Sequence, residues 1–544
     1  MAVLGAVQDF SMRRGVLLAG IVLIGSALAF ADEACAKLTA LKISGTTITS
    51  AQSVAAGNFV GPPEAFSGRD LSAFYKTLPA FCRVLAEAKP TSDSDIKIEV
   101  WLPSASWNGK LQAIGNGGFA GMIDTRQLAE AVKAGYTATA TDTGHSGSPV
   151  DATWALGHPE KVIDFGHRGI HEMTRVAKGV VQAFYGKSQE RAYFAGCSDG
   201  GREALMEAQR YPKDYDGILA GAPANYWTRL LALAASDTQA LTMDPASFIP
   251  PSKIPTIAAA VNAACDKLDG VQDGILHDPR QCHFDPSTIQ CKAQDAENCL
   301  TAPQVAALNK LYAGIHDSHG NELFPGYVPG AEGGQGGWAL WITGPAPAKS
   351  LMAAFAVGYW SNMVYEKADW DYKTFQLDSG LKVAEQKTGD ALDAVNADLR
   401  PFKARGGKLI VYHGWDDPAI SSLNTMHYYN SVIGKMGQRE VDSFVRLYMA
   451  PGVQHCEGGP GPDSYGEVGN LNSGDPRHSL DGALEQWVEK GIAPGAVIAS
   501  KFQDQERQHA IMTRPLCPYP QAAKYKGSGD TNDAGAFTCE EKKK

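Results

Sequence analysis

The sequence predicts an α/β fold, in which a mostly parallel sheet with helices on both faces is interrupted by one large insertion. Strand-like and helical segments alternate from residue 96 to residue 220, as expected for parallel strands joined by helices. The alternation returns at residues 408–490. Residues 226–400 lack it, and they hold five of the ten tryptophans and four of the ten cysteines. We therefore expect a sheet-based core and a separate inserted domain.

Each element is predicted from its local pattern. Residues 96–102 alternate as a strand, a turn follows at 107–109, and residues 110–114 form the next strand. Helix 165–185 is predicted because its apolar residues fall on one face. The remaining predicted strands are 136–142, the segment that ends at Cys197, 216–220, 408–413 and 443–449, and the remaining predicted helices are 203–210, 421–436 and 481–490.

Composition and the N-terminus indicate an exported globular protein. Of the 544 residues, 44% are hydrophobic and 20% are charged, and the net charge of -10 argues against a nucleic-acid partner. Arg13 and Arg14 precede an apolar run, and Ala29-Phe30-Ala31 fits a cleavage site. We predict a signal peptide at residues 1–31, a secreted or periplasmic mature chain and no membrane association after cleavage. An uncleaved anchor is the alternative, but the run is short for a membrane span.

The cysteines predict five disulfides. All ten lie beyond residue 31, and an even number in an exported chain is typical of a disulfide framework. Proximity in sequence favours pairing within the insertion and within the tail. The predicted bonds are Cys265–Cys282, Cys291–Cys299 and Cys517–Cys539, which leaves Cys35–Cys82 and Cys197–Cys456.

The segment Gly196-Cys197-Ser198-Asp199-Gly200 has the Gly-x-Ser-x-Gly pattern of a nucleophile elbow, a sharp strand-to-helix turn that exposes a serine hydroxyl. A serine needs a base to become a nucleophile. Because His455 precedes Cys456 as Cys197 precedes Ser198, a Cys197–Cys456 bond would bring serine and histidine side by side. This arrangement predicts Ser198 as the nucleophile and His455 as the base.

The order of the remaining groups predicts an α/β-hydrolase core, in which Ser, an acid and His follow one another along the chain. The acid should follow strand 408–413, where Asp416 and Asp417 are both available, and spacing does not separate them. An oxyanion needs two N–H donors. We expect one N–H donor to be Asp199 and the other to lie in an early glycine loop, at Gly117 or Gly118. Of these two glycines, Gly118 is the preferred candidate.

Three motifs carry a family resemblance: the serine motif with its continuation Gly201-Arg202, the segment Tyr412-His413-Gly414-Trp415-Asp416-Asp417-Pro418, and the pair His455-Cys456. With them the chain resembles the tannase and feruloyl esterase family over nearly all of its mature length. The resemblance implies a serine-type carboxylic ester hydrolase with an α/β-hydrolase core and a large lid. It maps the nucleophile onto Ser198, the base onto His455 and the acid onto Asp417, and it implies that the disulfide beside them is general to the family.

The insertion also holds a possible calcium loop. Three aspartates lie within eight residues among glycines, a composition that suits calcium and equally suits a plain Asp/Gly turn. The resemblance favours Ca²⁺ with a structural role. The ligands that it implies are Asp266, Asp269, Asp273 and the carbonyls of Val271 and Ile275.

The predicted organisation is a catalytic domain of residues 32–225 and 401–544 and a lid of residues 226–400. Lid aromatics that could stack on an aromatic acyl group are Trp338, Trp341, Phe355, Tyr359 and Trp360. No arginine occurs between Arg280 and Arg400 to bind a substrate carboxylate, so esters of phenolic acids, hydroxycinnamic or gallic, are the preferred small-molecule substrates.

Three alternatives to this function stay open. The first is hydrolysis of terephthalate monoesters or other aromatic esters, since relatives include a mono(2-hydroxyethyl) terephthalate hydrolase. The second is a non-catalytic, hydrolase-like binding protein. The third is acyl transfer to an alcohol instead of water, which would use the same residues. The sequence makes no prediction of the oligomeric state.

Overall fold

A nine-stranded mixed sheet forms the centre of the computed structural model, which describes residues 31–64, 68–468, 475–504, 507 and 509–541. Its strands are β1 Thr46–Val54, β2 Phe81–Ala88, β3 Ile96–Pro103, β4 Lys110–Ile114, β5 Thr137–Thr141, β6 Arg191–Cys197, β7 Gly217–Gly221, β10 Lys408–Gly414 and β11 Val445–Ala450. Their order in the sheet is β1-β2-β3-β5-β4-β6-β7-β10-β11. Strands β1, β2, β3 and β5 pair antiparallel, whereas β5, β4, β6, β7, β10 and β11 run parallel to one another. The carboxyl ends of β6, β10 and β11 therefore meet at one edge, where parallel sheets place their ligand sites.

The bounds of the elements in the described residues are as follows. The strands outside the central sheet are β8 Ile315–His316, β9 Glu322–Phe324, β12 Val497–Phe502, β13 Ala510–Leu516, β14 Gln521–Tyr525 and β15 Phe537–Glu541. The α-helices are Ser72–Tyr75, Thr125–Lys133, Pro159–Ile163, Gly169–Tyr185, Asp199–Arg210, Trp227–Thr242, Ile254–Cys265, Ala302–Ala313, Trp338–Trp341, Leu351–Tyr359, Leu377–Ala384, Asp390–Leu392, Arg400–Ala404, Ser422–Met436, Gln438–Asp442 and Leu480–Lys490.

The predicted α/β core is confirmed, with strands β3 to β7, β10 and β11 within two residues of the predicted bounds. Two features differ from the prediction. The N-terminal extension is part of the sheet, because it contributes β1 and β2 to the antiparallel edge. The helix expected at 165–185 begins at Gly169, since residues 164–168 form a π-helical turn before it.

The residues between β7 and β10, which correspond to the predicted lid, supply most of one buried apolar cluster. Helix Trp227–Thr242 crosses this core and is buried on most of its faces, with eleven of its sixteen residues inaccessible to solvent. Phe119 and Phe165 of the sheet domain join the same cluster. The lid is therefore packed onto the loops at the carboxyl edge of the sheet.

The chain has the five disulfides that its sequence predicts: Cys35–Cys82, Cys197–Cys456, Cys265–Cys282, Cys291–Cys299 and Cys517–Cys539. In the described part of the chain, no helix combines the length and hydropathy that a membrane span requires. The predicted signal peptide 1–31 lies outside the described residues except for Ala31.

Candidate active site

The serine motif forms a tight turn between β6 and the helix Asp199–Arg210, which we call the elbow helix. Ser198 has a φ of 66°, a left-handed conformation that residues with a side chain rarely adopt. A Cβ on Gly196 would lie 2.3 Å from the carbonyl oxygen of Gly200, and one on Gly201 would lie 2.1 Å from that of Gly221. Glycine is required at both positions because the backbones touch there.

Ser198, His455 and Asp417 form a continuous hydrogen-bonded chain. Ser198 Oγ lies 2.9 Å from His455 Nε2, and His455 Nδ1 lies 2.8 Å from Asp417 Oδ2. With Nδ1 donating to the carboxylate, Nε2 is left to accept the proton of the serine hydroxyl. This is the arrangement that activates a serine for attack on an acyl group.

Asp417 is fully buried and accepts four hydrogen bonds. The N–H groups of Ala419 and Ile420 donate to Oδ1, and His413 Nε2 lies 3.0 Å from the same Oδ2 that contacts His455. Burial raises the pKa of this carboxyl, but the charge of His455 and the hydrogen bonds from His413 and His455 outweigh burial and bring the pKa below its ordinary value. Asp417 is therefore ionised at neutral pH.

Asp416, the other candidate acid, is also buried but does not contact His455. Its Oδ1 has no hydrogen-bond partner among the described residues. Burial, with the negative charge of Glu332 nearby, raises the pKa of Asp416 well above its ordinary value. The structure thus places Asp417, and not its neighbour, beside the histidine.

The Cys197–Cys456 disulfide joins the residues adjacent to Ser198 and His455, with their Cα atoms 6.0 Å apart. Cys456 has a φ of 64°. The rings of Trp341 and His455 meet edge to face, with their centroids 4.9 Å apart. The bond thereby ties the end of β6 to the loop after β11.

The residues expected to donate N–H groups to the oxyanion line the same cavity as Ser198. Asp199 is the first residue of the elbow helix, where backbone N–H groups have no partner within the helix. Among the described residues, no protein acceptor is bonded to the N–H of Gly117 or of Gly118. Gly118 has a φ of 57°, and a Cβ there would lie 2.3 Å from the carbonyl oxygen of Pro149. All three residues line the cavity that contains Ser198.

That cavity has a volume of about 1530 Å³. From the predicted lid, its lining includes the apolar residues Leu230, Leu231, Trp341, Leu351, Met352 and Phe355 and the polar residues Asn262, Glu332 and Gln335. From the sheet domain, its lining includes Pro62, Pro63, Glu64, Arg126, Gln127 and Glu457. The space exceeds that of a typical small-ligand pocket, roughly 300–1,000 Å³.

Two of the five lid aromatics singled out in the sequence reach the cavity. Trp341 and Phe355 line it with nearly parallel rings 6.4 Å apart. Trp338, Tyr359 and Trp360 are fully buried in the lid core and do not line it. The expectation that they could contact an acyl group is wrong for these three, because packing within the lid uses them.

Arg126 is the one arginine or lysine among the described residues that line the cavity. It comes from helix Thr125–Lys133 of the sheet domain, and no sequence pattern singles it out. Its guanidinium lies 3.0 Å from Glu64 and 2.6 Å from Glu130, so carboxylates of the protein already neutralise it.

Sequence reasoning also missed the buried polar residues of the elbow helix. Arg202 Nε lies 2.6 Å from the Asp199 carboxylate, and both side chains are buried. Burial raises the pKa of Asp199 to about 6, although the charge and hydrogen bond of Arg202 oppose it. Glu203 accepts a hydrogen bond from the backbone of Asn116. The sequence signal that could have found them is the presence of Asp199, Arg202 and Glu203 at the start of a helix that follows a buried strand, since charged residues are seldom buried without a partner.

The loop expected to bind calcium has donors of the right chemistry, since its aspartate and carbonyl oxygens are the ligands that calcium prefers. Asp266 Oδ1 accepts from Gly274 N–H, Asp269 accepts from Val271 N–H, and Asp273 Oδ2 lies 2.9 Å from Arg514. Within the described ranges, no three or more His, Cys, Asp or Glu side chains converge as a metal site requires, so the three aspartates of this loop would have to turn toward one another to bind an ion.

Comparison with known proteins places this geometry in a family. Residues 82–540 match the family model described as tannase and feruloyl esterase. An uncharacterized esterase of Xanthomonas campestris pv. campestris is 38% identical, over 96% of this chain and 94% of the relative. A probable feruloyl esterase B of Aspergillus clavatus is 34% identical over 84% of this chain and 86% of its own length.

Solved structures agree with the sequence comparisons. The crystal structure of feruloyl esterase B from Aspergillus oryzae superposes with a TM-score of 0.85 and 28% identity, over 94% of this chain and 100% of that one. The chain therefore belongs to the tannase and feruloyl esterase family and is a carboxylic ester hydrolase.

Proposed function

We propose that this chain is a secreted serine esterase that hydrolyses esters of phenolic acids, hydroxycinnamic or gallic, through an acyl-enzyme. The observation that carries the proposal is the Ser198–His455–Asp417 chain of hydrogen bonds, which opens into a cavity lined by two aromatic rings. The names of the Aspergillus clavatus relative, a probable feruloyl esterase B, and of the Aspergillus oryzae structure, feruloyl esterase B, support the acyl group.

In the acylation step, His455 Nε2 takes the proton of Ser198 while Oγ attacks the ester carbonyl carbon. Asp417 stabilises the imidazolium that forms, because its carboxylate is ionised and contacts Nδ1. The carbonyl oxygen becomes an oxyanion, and the N–H groups of Asp199 and of Gly117 or Gly118 would donate to it. When the tetrahedral intermediate collapses, the C–O bond to the alcohol breaks and His455 returns the proton to the leaving oxygen.

Deacylation repeats the sequence with water. His455 removes a proton from a water molecule, the hydroxide attacks the acyl carbon, and Ser198 leaves with the proton that His455 returns. The products are the free acid and the original enzyme. Transfer to a second alcohol would follow the same steps with the alcohol in place of water.

The shape and charge of the cavity support a neutral aromatic acyl group. Trp341 and Phe355 offer flat apolar surface close to His455, and aromatic rings pack well against each other in offset or edge geometries. Arg126 is neutralised by Glu64 and Glu130, which leaves little attraction for a carboxylate on the substrate. Terephthalate monoesters are therefore expected to be poorer substrates.

The test is a hydrolysis panel of methyl ferulate, methyl gallate, chlorogenate and mono(2-hydroxyethyl) terephthalate, with Ser198→Ala as the control. We expect the highest kcat/KM on one of the first three and no turnover by the variant. A higher kcat/KM on the terephthalate ester would replace the phenolic assignment. Equal turnover by Ser198→Ala would exclude a serine mechanism, and no turnover by the wild-type chain would favour a binding protein. Product analysis with added methanol separates hydrolysis from acyl transfer.

We also propose that the loop of residues 266–275 binds a structural Ca²⁺ through Asp266, Asp269 and Asp273 with the carbonyls of Val271 and Ile275. The loop supplies none of the three residues of the Ser198–His455–Asp417 chain, which supports a stabilising function and no part in the ester chemistry. Elemental analysis should find about one calcium per chain, and EGTA should lower Tm because an ion bound to the folded state stabilises it. An unchanged Tm with no calcium found would remove the proposal.

Secretion rests on the predicted signal peptide and on the disulfides. Five disulfides are typical of proteins that fold in an oxidising compartment. N-terminal sequencing of the exported protein should begin at Asp32. A retained N-terminus in a membrane fraction would support the uncleaved anchor.

A further inference from the structure

Asn116 lies in the segment of residues 115–118, which we call the oxyanion loop, and connects it to the elbow helix. Its backbone N–H donates to Glu203 Oε2 at 2.9 Å, and its carbonyl accepts from Gly200 N–H at 2.9 Å. Its side-chain amide donates to the carbonyls of Met122 and Thr141 at 3.0 and 2.7 Å. Every polar group of Asn116 therefore has a hydrogen-bond partner except its amide oxygen, which has none among the described residues.

The two residues that follow are the candidate oxyanion donors, and both are glycines. Glycine restricts the backbone little, so a Gly-Gly pair does not by itself aim its N–H groups. The far end of the loop is held where Phe119 N–H donates to the carbonyl of Pro149 at 2.9 Å. The near end is held at Asn116, by Gly200 and by Glu203. These two ends determine where the glycine N–H groups point.

If residue 203 served only to fill space in the protein core, a glutamate would be an unfavourable choice. Its side chain is 1% exposed, and Oε1 has no hydrogen-bond partner among the described residues. Burying a carboxyl group without full hydrogen bonding is unfavourable, whereas burying an apolar residue at such a position is not. Burial raises the pKa of Glu203 well above its ordinary value, and the nearby charge of Asp199 adds to the effect. Its Asn116 hydrogen bond is the contact that an apolar residue could not make.

We propose that Glu203 is a positioning residue for the oxyanion hole, which holds the Asn116 peptide so that the Gly117 and Gly118 N–H groups face the reacting carbonyl. The proposal rests on the proposed serine esterase mechanism. Glu203 does not line the cavity and so acts through the loop, without touching the substrate. Its effect should fall on the transition state, where the oxyanion exists, and not on the binding of the neutral ester substrate.

The experiment compares Glu203→Leu, which lacks an acceptor, with Glu203→Gln, which keeps a carbonyl oxygen for Asn116 N–H. Glu207→Leu is the matched control, since Glu207 lies one turn further from the loop on the same helix and is equally buried. We expect Glu203→Leu to lower kcat on methyl ferulate about 30-fold, a fraction of the roughly 10²–10³-fold loss when an oxyanion donor is removed outright. KM should stay within about twofold, and Glu203→Gln and Glu207→Leu should keep kcat within about threefold.

Two binding measurements separate positioning from general damage. A trifluoromethyl ketone analogue of the substrate forms a tetrahedral adduct with the serine, and Glu203→Leu should weaken it by about the factor lost in kcat/KM. 4-Vinylguaiacol, which has the aromatic ring of ferulate but no carboxyl group, places no oxygen in the hole, so its inhibition constant should not change. Parallel losses of affinity for the adduct and for 4-vinylguaiacol would assign Glu203 a structural role and overturn the proposal. A kcat unchanged in Glu203→Leu would overturn it as well.

If Glu203→Leu does not fold, Glu203→Met replaces it, and failure of both to fold would show that the residue serves the fold. A loss as large in Glu203→Gln as in Glu203→Leu would also contradict the hydrogen-bonding argument. The wild-type chain and Ser198→Ala are assayed alongside. Absence of serine-dependent turnover in the wild type would remove the proposed function itself, which is a different result from any outcome of the Glu203 series.

Discussion

Removing the Cys197–Cys456 disulfide should affect both the stability and the activity of this protein. The change is the double substitution Cys197→Ser/Cys456→Ser, which leaves no unpaired thiol. The bond joins residues 259 positions apart and lies next to Ser198 and His455, so it closes a very long loop of chain at the site of the chemistry. Both consequences can be estimated from the structure.

The loss of stability follows from loop closure. In the chain-entropy model, a loop of this length corresponds to about 5.5 kcal/mol, because the cost of closing a loop grows with the logarithm of its length. A domain is typically stable by only about 5–15 kcal/mol, so the variant should be examined at low temperature. Cys291–Cys299 in the lid is the control, since it closes a loop of 8 positions and should contribute about 2.5 kcal/mol.

The loss of activity follows from the geometry of the triad. Ser198 Oγ lies 2.9 Å from His455 Nε2, and a displacement of about 1 Å in such a site can cost roughly 10²-fold in rate. We expect kcat/KM on methyl ferulate at low temperature to fall about 100-fold in the Cys197/Cys456 variant. The Cys291/Cys299 variant should stay within about twofold of the wild type.

The assay pairs steady-state kinetics with near-UV circular dichroism on the same samples, so that only folded protein is compared. Urea titrations of the three proteins give the stability differences. If the Cys197/Cys456 variant is folded and retains kcat/KM within about twofold of the wild type, the disulfide does not position the triad. Equal losses of activity in both variants would show a general effect of weaker folding.

Three further predictions address the acid, the lid and a buried histidine. Asp417→Asn should lower kcat about 10⁴-fold, because His455 then loses the partner that sets its tautomer. Asp416→Asn keeps the size and shape of a side chain that does not contact His455, so it should change kcat less than about fivefold. Comparable losses in both would contradict the assignment. Trp341→Ala should reduce kcat/KM on methyl ferulate by at least about tenfold and on ethyl butyrate, which has no ring, by much less; equal losses would exclude ring packing. Burial lowers the pKa of His145 from 6.5 to about 4. Between about pH 6.5 and pH 4, the unfolded chain therefore binds a proton at His145 that the folded chain does not bind. The free energy of unfolding consequently falls as the pH falls through this range. Between about pH 7 and about pH 4.5 the wild type should lose about 2.5 kcal/mol more than His145→Gln in urea titrations, and parallel pH profiles would refute this.

Much of the fold was predictable because its signals are local. A strand in a parallel sheet is an apolar run of a few residues, and β4, β7, β10 and β11 carry that run within their own sequence. Strands β1 and β2 were not predicted. They lie at the antiparallel edge, where β1 alternates only weakly between buried and exposed residues. Their place depends on the pairing of β2 with β3 and of β1 with β2.

The sequence by itself determined the chemistry of the site. Gly196-Cys197-Ser198 and His455-Cys456 predict serine, base and disulfide together, because a covalent bond between neighbours of the two residues requires them to be close. The glycines predict a crowded turn, since only glycine allows the backbone contacts that form there. Each of these conclusions follows from residue type and order alone.

Beyond the family resemblance, which already assigned Asp417, only the tertiary structure shows which members of similar pairs lie at the candidate site. Asp416 and Asp417 are adjacent and chemically equal, yet Asp417 contacts His455 whereas Asp416 is buried without that contact. Trp341 lines the cavity while Trp338, on the same short helix, is buried in the lid. The proposed role of Glu203 likewise depends on its contact with the oxyanion loop, which packs against the elbow helix. Side-chain direction and burial are set by packing against distant segments, and no local pattern in the chain encodes them.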